Sequence, residues 1–310
     1  MFRFENGARV VFFGDSITAN GTWMRRILQY YRENTDLRFE MYNAGVPGDN
    51  ASAAQGRIYE TVLPFDPTDV VIMFGMNDVG RNYYGVPLTG DCVIERRAMI
   101  DKSIISIKSI INNLRSLGIR VILCSPTPYD ELSDIKEINR IGVEAALFEL
   151  GERLKVYAKE NDIPFIDFNS AMLEILKKLS KTNKSCIGPD RVHPTPAGHE
   201  LMAALFLAAQ GFDVEIPRTY EKMCTLAEQP FDEWENKRYA LEKKVVNGSF
   251  VDRCLYHGVK NSDNIRQIIR DFPKEMRTPF MEEQFRAFDE RDLHYTENIK
   301  ALIAHTKSTL

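Results

Sequence analysis

The chain has 310 residues, of which 44% are hydrophobic and 27% charged, and its net charge is −4. This composition is typical of a globular protein, and nothing in the charge balance suggests binding to a nucleic-acid backbone, so we expect no nucleic-acid partner. The sequence has no run of about 18 apolar residues, the length that spans a membrane, so we expect no membrane span. No apolar signal region precedes the first predicted strand. Five scattered cysteines without a Cys-x-x-Cys pair argue against a disulfide framework or a zinc ribbon. Unless an export signal has been removed, we expect a cytoplasmic protein.

Short apolar runs alternate with longer amphipathic ones through the first half of the chain. Apolar runs with β-branched and aromatic residues but without clean alternation are typical of strands covered on both faces. Strands that alternate with helices predict an α/β fold, here a three-layer α/β/α sandwich around a five-stranded parallel sheet. We predict the strands at 9–13, 38–42, 69–74, 120–124 and 164–168 and the helices at 22–33, 51–62, 93–117 and 135–161.

A last helix of this domain is predicted from Thr195 and Pro196, a favoured pair for an N-cap and a first helical position, to Gly211. After Pro217 the sequence becomes charged and poor in strand-forming runs, and its apolar content is thin for an independent core. We predict a main domain over residues 1–217 and a helical extension over residues 218–310 that packs on this domain or joins two protomers. The helices of the extension are predicted at 231–246, 264–272 and 278–306.

Polar or glycine-containing segments follow four of the predicted strands. In open α/β sheets, ligands bind beyond the carboxyl ends of the strands, so these segments should meet at one edge. A serine placed there at the start of a helix lies near outward-pointing N–H groups and a partial positive charge. The four segments are 14–16, 43–45, 75–78 and 125–127.

Three residues could supply a nucleophile, its base and a group that orients the base. A serine hydroxyl attacks poorly until a base accepts its proton, and histidine, with an unperturbed pKa of about 6.5, suits that task. A carboxylate on the other ring nitrogen would fix the tautomer. We predict Ser16 as nucleophile, His193 as base and Asp190 as its partner, in a loop between Pro189 and Pro194. The alternatives are a serine that only caps a helix and loop residues satisfied by the backbone.

Gly45 and Asn77 are candidate donors to an oxyanion. Fixed N–H groups stabilise the negative oxygen of a tetrahedral intermediate, and glycine lets the backbone approach a substrate closely. Each residue also has an ordinary interpretation, because Asn77 begins a good turn sequence and Gly45 could simply make its loop flexible.

Other residues near these segments could contact a substrate. Tyr83 and Tyr84, with Arg81, follow the third segment in a long loop, which either lines a pocket or faces solvent. Asp15 and Asp78 are also candidate substrate-binding residues. We predict no metal and no cofactor, because no ligand spacing stands out among six acidic and histidine side chains: Asp15, Asp49, Asp78, Asp190, His193 and His199.

The order of four sequence blocks resembles the SGNH hydrolases, the GDSL-type esterases and lipases. The resemblance covers about residues 8–212, and no Gly-x-Ser-x-Gly elbow of the α/β-hydrolases occurs. It implies a flavodoxin-like sheet order and a third oxyanion donor, the N–H of Ser16. Arg191 departs from the pattern, since many relatives have glycine or another small residue there. The blocks are Gly14-Asp15-Ser16, Asn43-Ala44-Gly45, Gly75-Met76-Asn77-Asp78 and Asp190-Arg191-Val192-His193-Pro194.

The resemblance implies a serine esterase that acts through an acyl-serine intermediate. Because no apolar lid is visible, we expect small acyl groups such as acetyl on carbohydrates or other polar alcohols. The alternatives are a lysophospholipase or thioesterase, and a catalytically silent binding or scaffold protein that forms homo-oligomers through its C-terminal helices.

Overall fold

The computed structural model describes residues 2–87 and 89–246 of the chain. Its five strands are β1 (Arg9–Gly14), β2 (Glu40–Gly45), β3 (Asp69–Met73), β4 (Arg120–Cys124) and β5 (Phe165–Ile166). All pairs are parallel, and the strands lie in the order β2-β1-β3-β4-β5. This flavodoxin-like order confirms the predicted α/β fold.

Helices flank the sheet, and the described residues contain ten of them. α2 packs against α8 and α5 against α6, so that the strands are covered on both faces. The helices are α1 (Ser16–Asn20), α2 (Thr22–Asn34), α3 (Ala51–Ala54), α4 (Ile58–Thr61), α5 (Gly90–Ser116), α6 (Val143–Glu160), α7 (Phe168–Leu179), α8 (Pro196–Ala209), α9 (Tyr220–Ala227) and α10 (Glu233–Val246). None of these helices is long and apolar enough to cross a membrane.

Several predicted boundaries were wrong. The helix predicted at 135–161 begins only at Val143, because Gly142 adopts a left-handed φ of 100° at its N-terminus. The last predicted strand ends at Ile166, because the Asp167 side chain accepts a hydrogen bond from the Ser170 N–H and caps α7, a helix absent from the predicted elements. Helices α1 and α9 were also missed, and the predicted helix at 51–62 is divided into α3 and α4 by a 3-10 turn.

The core lies on both faces of β1. Val10, Val11, Phe12 and Phe13 are fully buried. On one face the Phe206 ring of α8 lies within 6.0 Å of Phe12, centroid to centroid. Each fully buried large apolar side chain contributes about 1.5–3 kcal/mol, so burial at this strand holds the end that carries Ser16 firmly in the sheet.

The described part of the C-terminal segment packs on α2. Arg25 of α2 and Glu235 of α10 form an ion pair of 2.9 Å whose side chains are 10% and 0% exposed. Arg32 pairs with Asp232 at 2.7 Å. The Tyr239 hydroxyl of α10 donates to the carbonyl of Asn20 at the end of α1. The segment therefore supports the helix that Ser16 begins, whereas the helices predicted at 264–272 and 278–306 lie outside the described residues.

Candidate active site

The structure brings Ser16, His193 and Asp190 together. Ser16 Oγ lies 2.7 Å from His193 Nε2, and His193 Nδ1 lies 2.5 Å from Asp190 Oδ2. The side chains of His193 and Asp190 are 46% and 50% exposed. This is the order of groups that moves a proton off a serine hydroxyl, and it lies open to solvent.

Asp15, and not Ser16, caps the short helix at the end of β1. Its Oδ1 accepts the backbone N–H of Ile17 at 2.9 Å, and Ser16 is the first helical residue. The Ser16 hydroxyl is thus not engaged as a helix cap, which was the ordinary interpretation of this serine.

Asp190 is held as a carboxylate by its own loop. Its Oδ1 accepts the backbone N–H groups of Val192 and His193 at 3.0 Å each, while Oδ2 faces the imidazole. Burial alone would raise the pKa of Asp190, but the hydrogen bonds from the His193 ring and from the two N–H groups hold it below its ordinary value. The carboxylate therefore stays charged and can stabilise an imidazolium.

Arg191 fastens this loop to the segment after β4. Its backbone has a φ of 66°, a left-handed conformation that favours glycine. The side chain is 3% exposed, so it is buried in that segment and not displayed at the mouth of the site. Its guanidinium donates to backbone carbonyls at 2.8–3.0 Å, namely those of Asp130, Ser133, Ile135 and Glu137.

Gly45, the last residue of β2, fits tightly against α1. A side chain at this position would clash with the backbone of Ala19, so glycine is required for close packing. Its N–H donates to Asn43 Oδ1 at 2.9 Å. The group would have to share or exchange this bond in order to serve an oxyanion.

Asn77 lies in the turn after β3, with its amide engaged at both ends. Nδ2 donates to the backbone carbonyl of Asp49 at 2.8 Å, and Oδ1 accepts from Arg81 Nη2 at 3.1 Å. Because an amide nitrogen carries two hydrogens, one donor remains after the contact with Asp49.

A buried ion pair lies among these groups and was not predicted from the sequence. Arg57 Nε contacts Asp49 Oδ2 at 2.7 Å, with side-chain exposures of 10% and 7%. The same guanidinium donates to the carbonyls of Ala44 at 2.8 Å and Gly14 at 3.1 Å. It therefore joins the ends of β1 and β2 to the loop that contacts Asn77.

Three predicted substrate-binding residues lie below the surface. Asp15, Asp78 and Tyr84 are 2%, 7% and 4% exposed. Burial raises the pKa of Asp15 to about 7 and that of Asp78 to about 6. Asp78 accepts the backbone N–H of Ala51 at 2.9 Å, so its observed contact is within the fold. Tyr83 is half-buried, and its role stays a prediction.

His199 is a core residue of α8. It is 2% exposed, and burial lowers the pKa of its imidazole to about 3, which keeps the ring neutral. In residues 2–87 and 89–246, no three histidine, cysteine or acidic side chains are grouped so that they could hold a metal ion.

Residues 12–201 match the model of the GDSL-like Lipase/Acylhydrolase family. The chain belongs to this family. An acetylxylan esterase from Geobacillus stearothermophilus is 28% identical over 226 residues, which are 67% of this chain and 96% of that protein. Membership of the GDSL-like family and this relative together show that the protein is a hydrolase of carboxylic ester bonds.

Solved structures of other proteins agree with this fold. A gut microbial diltiazem-metabolizing enzyme superposes with a TM-score of 0.64 at 29% identity, over 68% of this chain and 48% of its own. The chain thus spans about half of that protein. A catalytic mutant of the Geobacillus stearothermophilus acetylxylan esterase gives a TM-score of 0.56 at 24% identity, over 68% of this chain and 98% of its own. The GDSL-like fold is therefore shared along most of that esterase.

Proposed function

We propose that the protein is a serine esterase that removes acetyl or other short acyl groups from carbohydrates or similar polar alcohols. The hydrogen-bond chain from Ser16 Oγ through His193 to Asp190, with distances of 2.7 and 2.5 Å, carries this proposal. The acetyl preference is supported by the acetylxylan esterase to which the chain is similar.

In the first half of the reaction, Ser16 Oγ attacks the ester carbonyl while His193 Nε2 takes its proton. The carbonyl oxygen becomes an oxyanion, and the N–H groups of Ser16 and Gly45 and the amide of Asn77 would donate to it. One such donor typically stabilises a transition state by about 3–4 kcal/mol. The imidazolium, stabilised by Asp190, then gives its proton to the leaving alcohol, and an acyl-serine remains.

In the second half, a water molecule takes the place of the alcohol. His193 accepts one of its protons as the oxygen attacks the acyl carbonyl, and the proton then returns to Ser16 Oγ as the ester breaks. The products are the carboxylic acid and the free enzyme. The exposure of the His193 side chain, 46%, suits a bulky alcohol such as a carbohydrate and leaves a path for water.

A longer acyl chain is the second candidate. Three apolar side chains in the segment that holds Arg191 are exposed by 46–67%, and they would suit an aliphatic chain: Leu132, Ile138 and Ile141. A lysophospholipase or thioesterase activity would use such a surface.

The test compares acyl lengths and the nucleophile in the full-length protein. We expect 4-nitrophenyl acetate and acetylated xylooligosaccharides to be hydrolysed with a higher kcat/KM than 4-nitrophenyl octanoate, and a fluorophosphonate to label Ser16 stoichiometrically. Ser16→Ala should abolish both labelling and hydrolysis. Wild-type hydrolysis by this variant would refute the mechanism, and preference for octanoate would favour the second candidate.

A further inference from the structure

The orientation of the Asn77 amide is set by two contacts of opposite polarity. The Asp49 carbonyl can only accept, so it fixes the nitrogen end at 2.8 Å, and the Arg81 guanidinium can only donate, so it fixes the oxygen end at 3.1 Å. A flipped amide would place hydrogens against hydrogens at one end and oxygen against oxygen at the other. The remaining N–H of Asn77 therefore has one defined direction.

The guanidinium of Arg81 is placed to serve this amide. It is half-buried, and burial lowers its pKa, although Tyr129, Asp15 and Asp190 act in the opposite direction. Within the described ranges no carboxylate forms an ion pair with Arg81, and the hydrogen bond found for its guanidinium goes to Asn77. A cation that has lost hydration binds a neutral acceptor more strongly than a neutral donor does.

The Arg81 contact also changes the chemistry of the other end of the amide. The positive charge of the guanidinium that donates to Oδ1 draws electron density from the amide nitrogen. Hydrogen bonds in a chain polarise one another in this way. The free N–H of Asn77 becomes a stronger donor toward a developing negative charge. The benefit is larger in the transition state, where the oxygen is charged, than in the bound ester.

We propose that Arg81 is a positioning residue that aims and polarises the Asn77 amide toward the oxyanion. The inference rests on the proposed function, because that function assigns the Asn77 amide as a donor to the oxyanion. The inference adds Arg81 as a residue that acts through Asn77 without contacting the reacting atoms.

A double-mutant cycle tests the inference with 4-nitrophenyl acetate as substrate. Asn77→Ala should lower kcat by about 10²–10³-fold, as loss of an oxyanion donor does. Arg81→Met should lower kcat by about 10- to 100-fold with little change in KM, because a misplaced catalytic group costs rate and not binding. In the Asn77→Ala background, Arg81→Met should cost less than about 3-fold, since the group through which it acts is gone.

Arg96→Met is the matched control. Arg96 donates to the carbonyl of Tyr83 at 2.6–2.9 Å and lies over the Tyr84 ring, so it supports the same loop without contacting Asn77. Its kcat should stay within about 3-fold of wild type. Arg81→Lys, which keeps a cationic donor, should recover part of the rate lost in Arg81→Met.

If a fluorophosphonate still labels Ser16, each of three results would overturn the inference. The first is an equal loss of kcat from Arg81→Met in the wild-type and Asn77→Ala backgrounds, and the second is a change in KM alone in Arg81→Met. The third is a loss of kcat in Arg96→Met equal to that in Arg81→Met. Absence of labelling at Ser16 in wild type would instead refute the proposed function.

Discussion

The two sides of Ser16 are built differently. On one side, His193 and Asp190 lie in a loop with their side chains about half exposed, at 46% and 50%. On the other side, the Asn77 amide contacts a loop that is anchored by Arg57 and Asp49, whose side chains are only 10% and 7% exposed. The proton-transferring group needs access to substrate and water, whereas fixed dipoles stabilise charge only if they do not reorganise.

The difference also concerns how each side is stabilised. The carboxylate of Asp190 is half exposed, and hydrogen bonds from the His193 ring and from its own loop outweigh the effect of its partial burial. Arg57 and Asp49 lose most of their hydration, and the pair persists because the guanidinium also satisfies backbone carbonyls of β1 and β2. Replacing the half-exposed Asp190 should therefore change rate more than stability, whereas breaking the buried pair of Arg57 and Asp49 should lower stability.

The largest expected effect is on rate, at Asp190. Asp190→Asn keeps the size of the side chain but favours the wrong imidazole tautomer, so kcat should fall by about 10⁴-fold. Kinetics with 4-nitrophenyl acetate measure this loss, and thermal unfolding should show a nearly unchanged Tm, because the side chain is half exposed. A kcat within 10-fold of wild type would show that Asp190 is not the partner of His193.

The next effect is on stability, at Arg57. Arg57→Met leaves the Asp49 carboxylate buried without its partner and should lower the free energy of unfolding by about 3–5 kcal/mol. Urea denaturation measures the loss, and adding Asp49→Asn should restore part of it.

A surface ion pair supplies the control for Arg57. Lys178 and Glu174 are 3.0 Å apart with side chains 57% and 62% exposed, so Lys178→Met should cost at most about 1 kcal/mol. Equal losses in Arg57→Met and Lys178→Met would contradict the importance of burial for the pair of Arg57 and Asp49.

A smaller loss of stability is expected at Arg191. Glycine would relieve the left-handed backbone, but Arg191→Gly removes four hydrogen bonds from a guanidinium to carbonyls. The second effect should prevail, with a loss of about 2 kcal/mol in urea denaturation, because hydrogen bonds of charged groups are the strong ones. A variant at least as stable as wild type would mean that the side chain does not hold the loop.

The sequence predicted the parallel sheet, and it predicted that Ser16, His193 and Asp190 would lie close together at its edge, because strand ends are marked by local patterns. It did not predict α1, since a helix of five residues is too short to show a period. The predicted helix at 51–62 includes Arg57 without indicating its role, because its contacts with Gly14 and Ala44 depend on how β1 and β2 pair. Such long-range contacts leave no local signal.

The burial of two predicted substrate-binding residues has a related cause. A carboxylate after a strand is compatible with either a surface position or a buried cap, and the sequence does not distinguish the two. In the structure the carboxylates of Asp15 and Asp78 are buried, and they accept hydrogen bonds from the backbone N–H groups of Ile17 and Ala51.

The smallest effect, about 1 kcal/mol for each pH unit, is on the pH dependence of stability and concerns another buried carboxyl, Asp15. Burial raises the pKa of Asp15 from 3.8 to about 7. Between these values the Asp15 carboxyl keeps a proton in the folded protein that it has released in the unfolded chain, so its contribution to the free energy of unfolding should fall as pH rises from about 4 to 7. Below pH 4 both states are protonated, and the contribution of Asp15 is fully retained.

Asp15→Asn should flatten this dependence by about 1 kcal/mol per pH unit, because the amide oxygen still accepts the Ile17 N–H but does not titrate. Urea denaturation of wild type and variant from pH 4.5 to 8 measures the difference. Part of the slope should survive, since burial raises the pKa of Asp78 to about 6 and it titrates in the same window. Parallel curves for the two proteins would mean that Asp15 is charged in the folded state, and its surroundings would then be more hydrated than its contacts indicate.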